Sequence, residues 1–319
     1  MSKLVRGLAL SACLFIGLTA TTACEPVGVT KVSNTVDVAC QFLTYTVETD
    51  WYFPAGTPRA LVWLQHGFTE ENGNWEETAR KLAESGYLAM ATTLPTADLL
   101  GCTVQNIGNN TGFLNNIASM LGGLGDPSSA LGRSHADAAT KAGRTGQAIP
   151  SKLLMSGHSA GGEAVLYVAN RLRTNHAGTF AKLKGIVLAD PVNSFIGNNT
   201  DVALTGLATT SLPIYSLASP PYSCNNNQSG TQALISKLPG RFHGAQVTTG
   251  SHGDVFGGSV PSIEVTTCGQ PQAANVDATR TLLLAWFGDM VDGTTSAAFY
   301  PGGALFGSLV SNGTITALP

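Results

Sequence analysis

The sequence predicts an α/β domain, with a mainly parallel central sheet and helices on both faces, from three observations. Apolar runs of strand length, such as Leu61-Val62-Trp63-Leu64 and Gly185-Ile186-Val187-Leu188-Ala189, alternate with helical patterns along the chain. Those runs are apolar throughout, as suits strands buried on both faces. No internal repeat or second domain interrupts this order.

Taken in order, residues 36 to 53 read as strands, with Thr, Val, Tyr and Phe partly alternating, and Pro54 to Pro58 as a turn. Residues 59 to 67 form a short strand stopped by Gly67, followed by a helix over 74–84 and a strand over 87–92. The Gly- and Asn-rich stretch 101–125 matches no element. A helix is expected over 129–143, a strand over 153–156, a helix over 161–173 and a strand over 185–189. Later strands fall at 214–218 and 245–249, and 275–290 is a strongly amphipathic helix. From Tyr300 onward the Gly/Pro-rich tail reads as packed coil.

The first residues stand apart from the fold. Lys3 and Arg6 precede an apolar run from Leu8 to Leu18 that ends in small residues, the pattern of a secretory leader over 1–23. That run is too short to span a bilayer comfortably. Thr21-Thr22-Ala23-Cys24 resembles a bacterial lipoprotein processing site, except that Thr21 stands where an aliphatic residue is expected. Membrane attachment through a lipidated Cys24 and plain secretion are both open. Cysteine parity favours lipidation: without Cys13 and Cys24, the residues Cys40, Cys102, Cys224 and Cys268 can form two disulfides in an oxidising compartment. Chain order suggests Cys40 with Cys102 and Cys224 with Cys268, the alternative being buried thiols. A lead-in over 24–35 then precedes one domain over 36–319.

A hydrophobic share of 43% supports a sizeable core, and 12% charged residues fit a compact exported protein rather than a disordered one. Without its leader the chain has a formal charge of −5, and no basic run offers a footprint for nucleic acid.

Gly157-His158-Ser159-Ala160-Gly161 matches G-x-S-x-G, the strand-to-helix turn of α/β-hydrolases. A serine on so sharp a turn needs small neighbours, which Gly157 and Gly161 supply. The motif alone is weak in a chain with 37 glycines; an apolar strand before it and a helix after it strengthen the reading. Ser159 is therefore the candidate nucleophile. It needs a base, and the base needs an orienting acid. His252 follows a predicted strand in a flexible loop, whereas His243 precedes that strand at the opposite sheet end, so His252 is the candidate base. His158 is expected to support the turn. Among acids, Glu163 lies on the helix that carries the serine, and Asp201 lies in a polar run. Asp190 ends an apolar strand at the carboxyl edge, where open α/β sheets bind ligands, and is preferred. The N–H of Ala160 and that of Phe68, after Gln65-His66-Gly67, are the expected oxyanion donors. His66 reads as structural.

These residues carry a resemblance to α/β-hydrolases, most of all to chlorophyllases and secreted polyester hydrolases of the cutinase-like lipase type. It rests on Leu64-Gln65-His66-Gly67-Phe68, Leu82-Ala83-Glu84-Ser85-Gly86-Tyr87, Gly157-His158-Ser159-Ala160-Gly161-Gly162 and Ala189-Asp190-Pro191-Val192. An Asp-Pro-Val after the sixth strand resembles the chlorophyllase placement of the acid. The polyester hydrolases place theirs one strand later, where this chain has Ser219-Pro220-Pro221-Tyr222 and no carboxylate. The resemblance implies ester cleavage through an acyl-enzyme, with a small-molecule, lipid or polymer ester as partner. Acyl transfer, peptide cleavage and a non-catalytic envelope protein on the same fold are the alternatives. No Cys/His spacing suggests a metal, and no phosphate loop suggests a cofactor, so none is expected. The stretches 101–125 and 193–210 are long enough to form a lid.

Overall fold

The computed structural model describes residues 28–319, so the predicted leader 1–23 and Cys24 lie outside the described residues. In chain order the elements are β1 (Thr30–Cys40), β2 (Leu43–Phe53), β3 (Leu61–Gln65), α1 (Glu76–Glu84), β4 (Leu88–Thr92), α2 (Thr111–Gly122), α3 (Ala130–Lys141) and β5 (Leu153–His158). There follow α4 (Ala160–Asn175), α5 (Ala177–Phe180), β6 (Leu183–Ala189), α6 (Asn199–Leu207), β7 (Ile214–Ala218) and α7 (Ser229–Lys237). The chain closes with β8 (Gly244–Val247), α8 (Ser262–Cys268), α9 (Ala273–Asp292), α10 (Ala304–Ser311) and β9 (Ile315–Ala317).

The strands form one sheet in the order β1-β2-β4-β3-β5-β6-β7-β8-β9. From β4 to β8 neighbours run parallel, while the β1–β2 hairpin and β9 add antiparallel edges. Strand periodicity divides the core between two faces. Leu61, Trp63, Leu153, Met155, Ile186 and Leu188 pack beneath α2, α3, α4 and α6. Their alternates Val62, Leu64, Leu154 and Val187 pack beneath α1 and α9. The predicted α/β architecture is thus observed, with one mostly parallel sheet between two helical layers.

Three expectations need correction. The first strand begins at Thr30, inside the predicted lead-in, and pairs from Thr30↔Phe53 onward. Its pattern was masked because Asn34 occupies an inward position, where it donates to the Ser134 carbonyl at 2.8 Å. The unassigned stretch 101–125 contains α2, which buries Phe113, Leu114, Ile117 and Leu121 at helical spacing. The tail is not coil: α10 and β9 occupy it, with Ile315 opposite Val247 on the sheet edge.

Both expected disulfides form. Cys40–Cys102 ties the end of β1 to the segment after β4, and Cys224–Cys268 ties a short turn after β7 to the end of α8. Among the described residues no helix is long and apolar enough to cross a membrane.

Candidate active site

Ser159 stands between β5 and α4 with φ 52° and ψ −126°, a conformation that costs a non-glycine residue energy and persists only where its surroundings enforce it. The enforcement is visible. Ser159 N donates to the Ala189 carbonyl at 3.1 Å, and the Ser159 carbonyl accepts from Gly162 N at 2.9 Å and Val192 N at 3.1 Å. A side chain at Gly157 would strike the backbone of Gly161, and one at Gly161 would strike the backbone of Gln65 and His66. Close approach, as the motif implied, is what demands glycine at both positions.

Asp190 follows β6, also at positive φ (41°). Its carboxylate accepts from Ser219 N at 2.9 Å, from the Ser219 hydroxyl and from Asn225 Nδ2 at 3.2 Å. The remaining partner is His252, whose Nδ1 lies 2.7 Å from Asp190 Oδ2. The loop that presents His252 is braced by Asp254, which accepts from Ser251 N at 3.1 Å and Ser251 Oγ at 2.8 Å. Burial pushes the Asp254 carboxyl up to about 6.

Ser159 and His252 line one cleft of about 290 Å³ at the carboxyl ends of the parallel strands. Among the described residues no hydrogen bond joins the Ser159 hydroxyl to the His252 ring, although both border this cleft. Phe68 and Ala160 border the same cleft. Among the described residues the Phe68 N–H has no acceptor, and the Ala160 N–H, in the first turn of α4, has no partner within its own helix. The mouth is apolar, with Phe68, Phe195 and Ile263 at 49%, 79% and 60% exposure.

Behind the serine lies a buried ionisable cluster. His158 Nδ1 is 2.9 Å from Glu70 Oε2, and Glu70 also accepts from Gly67 N at 2.6 Å. Burial disfavours the charge on His158, but the adjacent Glu70 carboxylate outweighs it and raises the ring to about 9. Burial likewise opposes the charge on Glu70, yet His158 holds its carboxyl below the ordinary value. Glu264, on α8, lies 4.0 Å from His158 Nε2, and burial pushes it up to about 8.

The other candidates serve elsewhere. Glu163 accepts from Ser194 Oγ at 2.5 Å and Thr200 Oγ1 at 2.9 Å, fastening the segment after β6 to α4. Asp201 is exposed and pairs with Lys237 at 3.4 Å. His243 is buried, bonded to the Leu238 and Pro319 carbonyls. His66 donates through Nδ1 to the Gly67 carbonyl at 2.7 Å, and burial keeps it neutral. Glu70, Glu264, Ser219 and Asn225 went unseen in the sequence. Only Glu70 left a signal there, a carboxylate three residues after a turn glycine whose N–H it caps.

No protein-family model matches the chain, and no curated protein resembles it in sequence. Solved structures do resemble it in fold. A ferulic acid esterase from Streptomyces cinnamoneus superposes with a TM-score of 0.59 at 14% identity, covering 94% of this chain and 98% of that one. A dienelactone hydrolase from Anabaena variabilis gives 0.50 at 15% identity, over 81% and 97% of the two chains. Brefeldin A esterase, described as a bacterial homologue of human hormone-sensitive lipase, gives 0.50 at 12% identity, over 87% and 81%. With its mostly parallel sheet between two helical layers, the chain has the α/β-hydrolase fold.

Proposed function

We propose that the protein is a serine hydrolase of carboxylic esters, with Ser159 as nucleophile, His252 as base and Asp190 as the orienting acid. The observation that carries this reading is the 2.7 Å bond from His252 Nδ1 to Asp190, made beside a cleft that His252 shares with a strained serine. An acceptor at Nδ1 fixes the proton there and leaves Nε2 free to take the serine proton.

In this reaction Ser159 Oγ adds to the ester carbonyl while His252 Nε2 accepts its proton. The Phe68 and Ala160 N–H groups donate to the resulting oxyanion. Collapse breaks the bond to the alkoxy oxygen, which takes the proton from His252 and departs as alcohol. Water then enters, gives a proton to His252 and attacks the acyl carbon. Collapse returns that proton to Ser159 and releases the acid. The names of the fold neighbours, two esterases and a dienelactone hydrolase, support ester chemistry over peptide cleavage or acyl transfer. The apolar mouth favours esters with an aromatic or aliphatic group, and the acid after β6 keeps the chlorophyllase-like placement within the proposal. Export belongs to the same reading: two disulfides suit an oxidising compartment. Anchoring through a lipidated Cys24 would place the enzyme on the cell envelope.

The test is hydrolysis of p-nitrophenyl esters of increasing acyl length, with a fluorophosphonate probe beside it. Wild-type protein should turn over and label, and Ser159→Ala should do neither. A wild type that is inactive on every ester and refuses the probe would overturn the reading.

A further inference from the structure

Both ring nitrogens of His158 face acceptors. Nδ1 lies 2.9 Å from Glu70 Oε2, and Nε2 lies 2.9 Å from the backbone carbonyl of His252. A neutral imidazole carries one N–H, so serving both acceptors requires the imidazolium. The ring is wholly buried, 4.5 Å from Phe256 and 4.4 Å from the His252 ring between centroids, and a cation there must be balanced locally. Glu70 balances it. The second acid, Glu264, is buried with Oε1 4.0 Å away, and burial together with a side-chain hydrogen bond to Glu70 favours its neutral form. Two ionised acids around one cation would leave a net negative charge beside the oxyanion donors; one neutral acid leaves none.

We propose that His158 is a charged positioning residue, whose two N–H groups join the oxyanion loop, the nucleophile turn and the base loop, with Glu264 as the second acid that sustains its charge. The three joined parts are Gly67 through Glu70, Ser159 through the adjoining backbone, and His252 through its carbonyl. This inference rests on the ester-hydrolase reading, because it assigns what holds that machinery in register. The titratable groups around the ring are Glu70 from the loop after β3, Glu264 from α8, neutral His66 at the end of β3, and His252 with Asp190 behind it. The two acids favour the cation. Glu264 also gains its own charge on the alkaline side, where it supports His158 most.

Two measurements test this. Long-range ¹H–¹⁵N spectra of the full chain between pH 6 and 8 should show both His158 nitrogens protonated, with the resonances assigned by their loss in His158→Gln. Should that variant fail to fold, contacts to Phe256 supply the assignment. An unprotonated His158 nitrogen at pH 7 overturns the proposal. In the second, Glu264→Gln should move the alkaline limb of kcat to lower pH, lowering activity at pH 9 about threefold relative to wild type while KM stays within about twofold. An alkaline limb that does not move overturns the role of Glu264. If wild-type protein neither hydrolyses esters nor takes the serine probe, the ester reading fails, and the spectra still decide the charge on His158.

Discussion

Asp190 receives hydrogen bonds from Ser219 N, Ser219 Oγ, Asn225 and His252, so its orientation is fixed before any substrate arrives. Asp190→Asn should therefore lower kcat by roughly 10³- to 10⁴-fold, because an amide can direct His252 into the wrong tautomer. A p-nitrophenyl ester assay of the folded variant measures it. Removing one supporting donor is milder: Ser219→Ala should cost about tenfold in kcat with KM little changed, since hydrogen bonds to a charged group are worth about 1.5–3 kcal/mol. A wild-type kcat in that variant would show that Asn225 and the Ser219 backbone hold the acid alone. Ser159, Asp190 and His252 could be picked out in the sequence as candidates because each follows a recognisable strand, where chain position translates into place on the sheet. Ser219, Asn225 and Glu264 could not, because what matters for them is the path of the segments after β7 and β8, the second of which carries α8. No periodicity records that Asn225 folds back onto a carboxylate 35 residues earlier.

The elements around the cleft differ in how firmly they are held. β5 and β6 are central strands of the sheet, whereas α8 is a short helix near the surface, fastened by Cys224–Cys268. That bridge closes a loop of 44 residues and adjoins Asn225, a donor to Asp190. Replacing both cysteines with serine should lower stability by up to ~4 kcal/mol on the chain-entropy view. It should also lower kcat/KM, as α8 carries Glu264 and the apolar wall at Ile263. Urea unfolding and ester kinetics on the same sample separate the two effects. The pairing matches chain order because each bridge joins successive half-cystines, Cys40 at the end of β1 to Cys102 and Cys224 to Cys268 at the end of α8. By contrast α10 and β9 were hidden, since α10 buries only Phe306 and β9 is three residues long. Neither length gives a period room to show. α2 was hidden differently, its apolar face lying within a glycine- and asparagine-rich surrounding that reads as loop.

Across the whole molecule the buried cluster ties stability to pH. His158, raised to about 9, contributes stability that is full below its ordinary value of 6.5 and lost as pH rises through 9. Glu264, raised to about 8, acts in the same sense between its ordinary 4.5 and 8, while Glu70, held low, contributes above 4.5 and loses that contribution in acid. The urea midpoint should therefore be highest near pH 5 and decline toward pH 9, with Glu264→Gln flattening the part between 5 and 8. A midpoint that rises over that range would contradict the sign. The fold itself was legible at this scale although sequence identity to its structural neighbours is 12–15%, because apolar runs and glycine stops can persist where individual residues do not. The bridge at Cys224–Cys268 also bears on how the protein must be made. A chain produced in a reducing host cytosol forms neither bridge: Cys40 is still held at the end of β1 by pairing with β2, while the cleft wall at α8 is held by noncovalent contacts alone. Such material should pass a circular dichroism check and still give low rates in the proposed reaction, so recombinant protein should be routed through an oxidising compartment, and its free thiols counted, before any rate is interpreted.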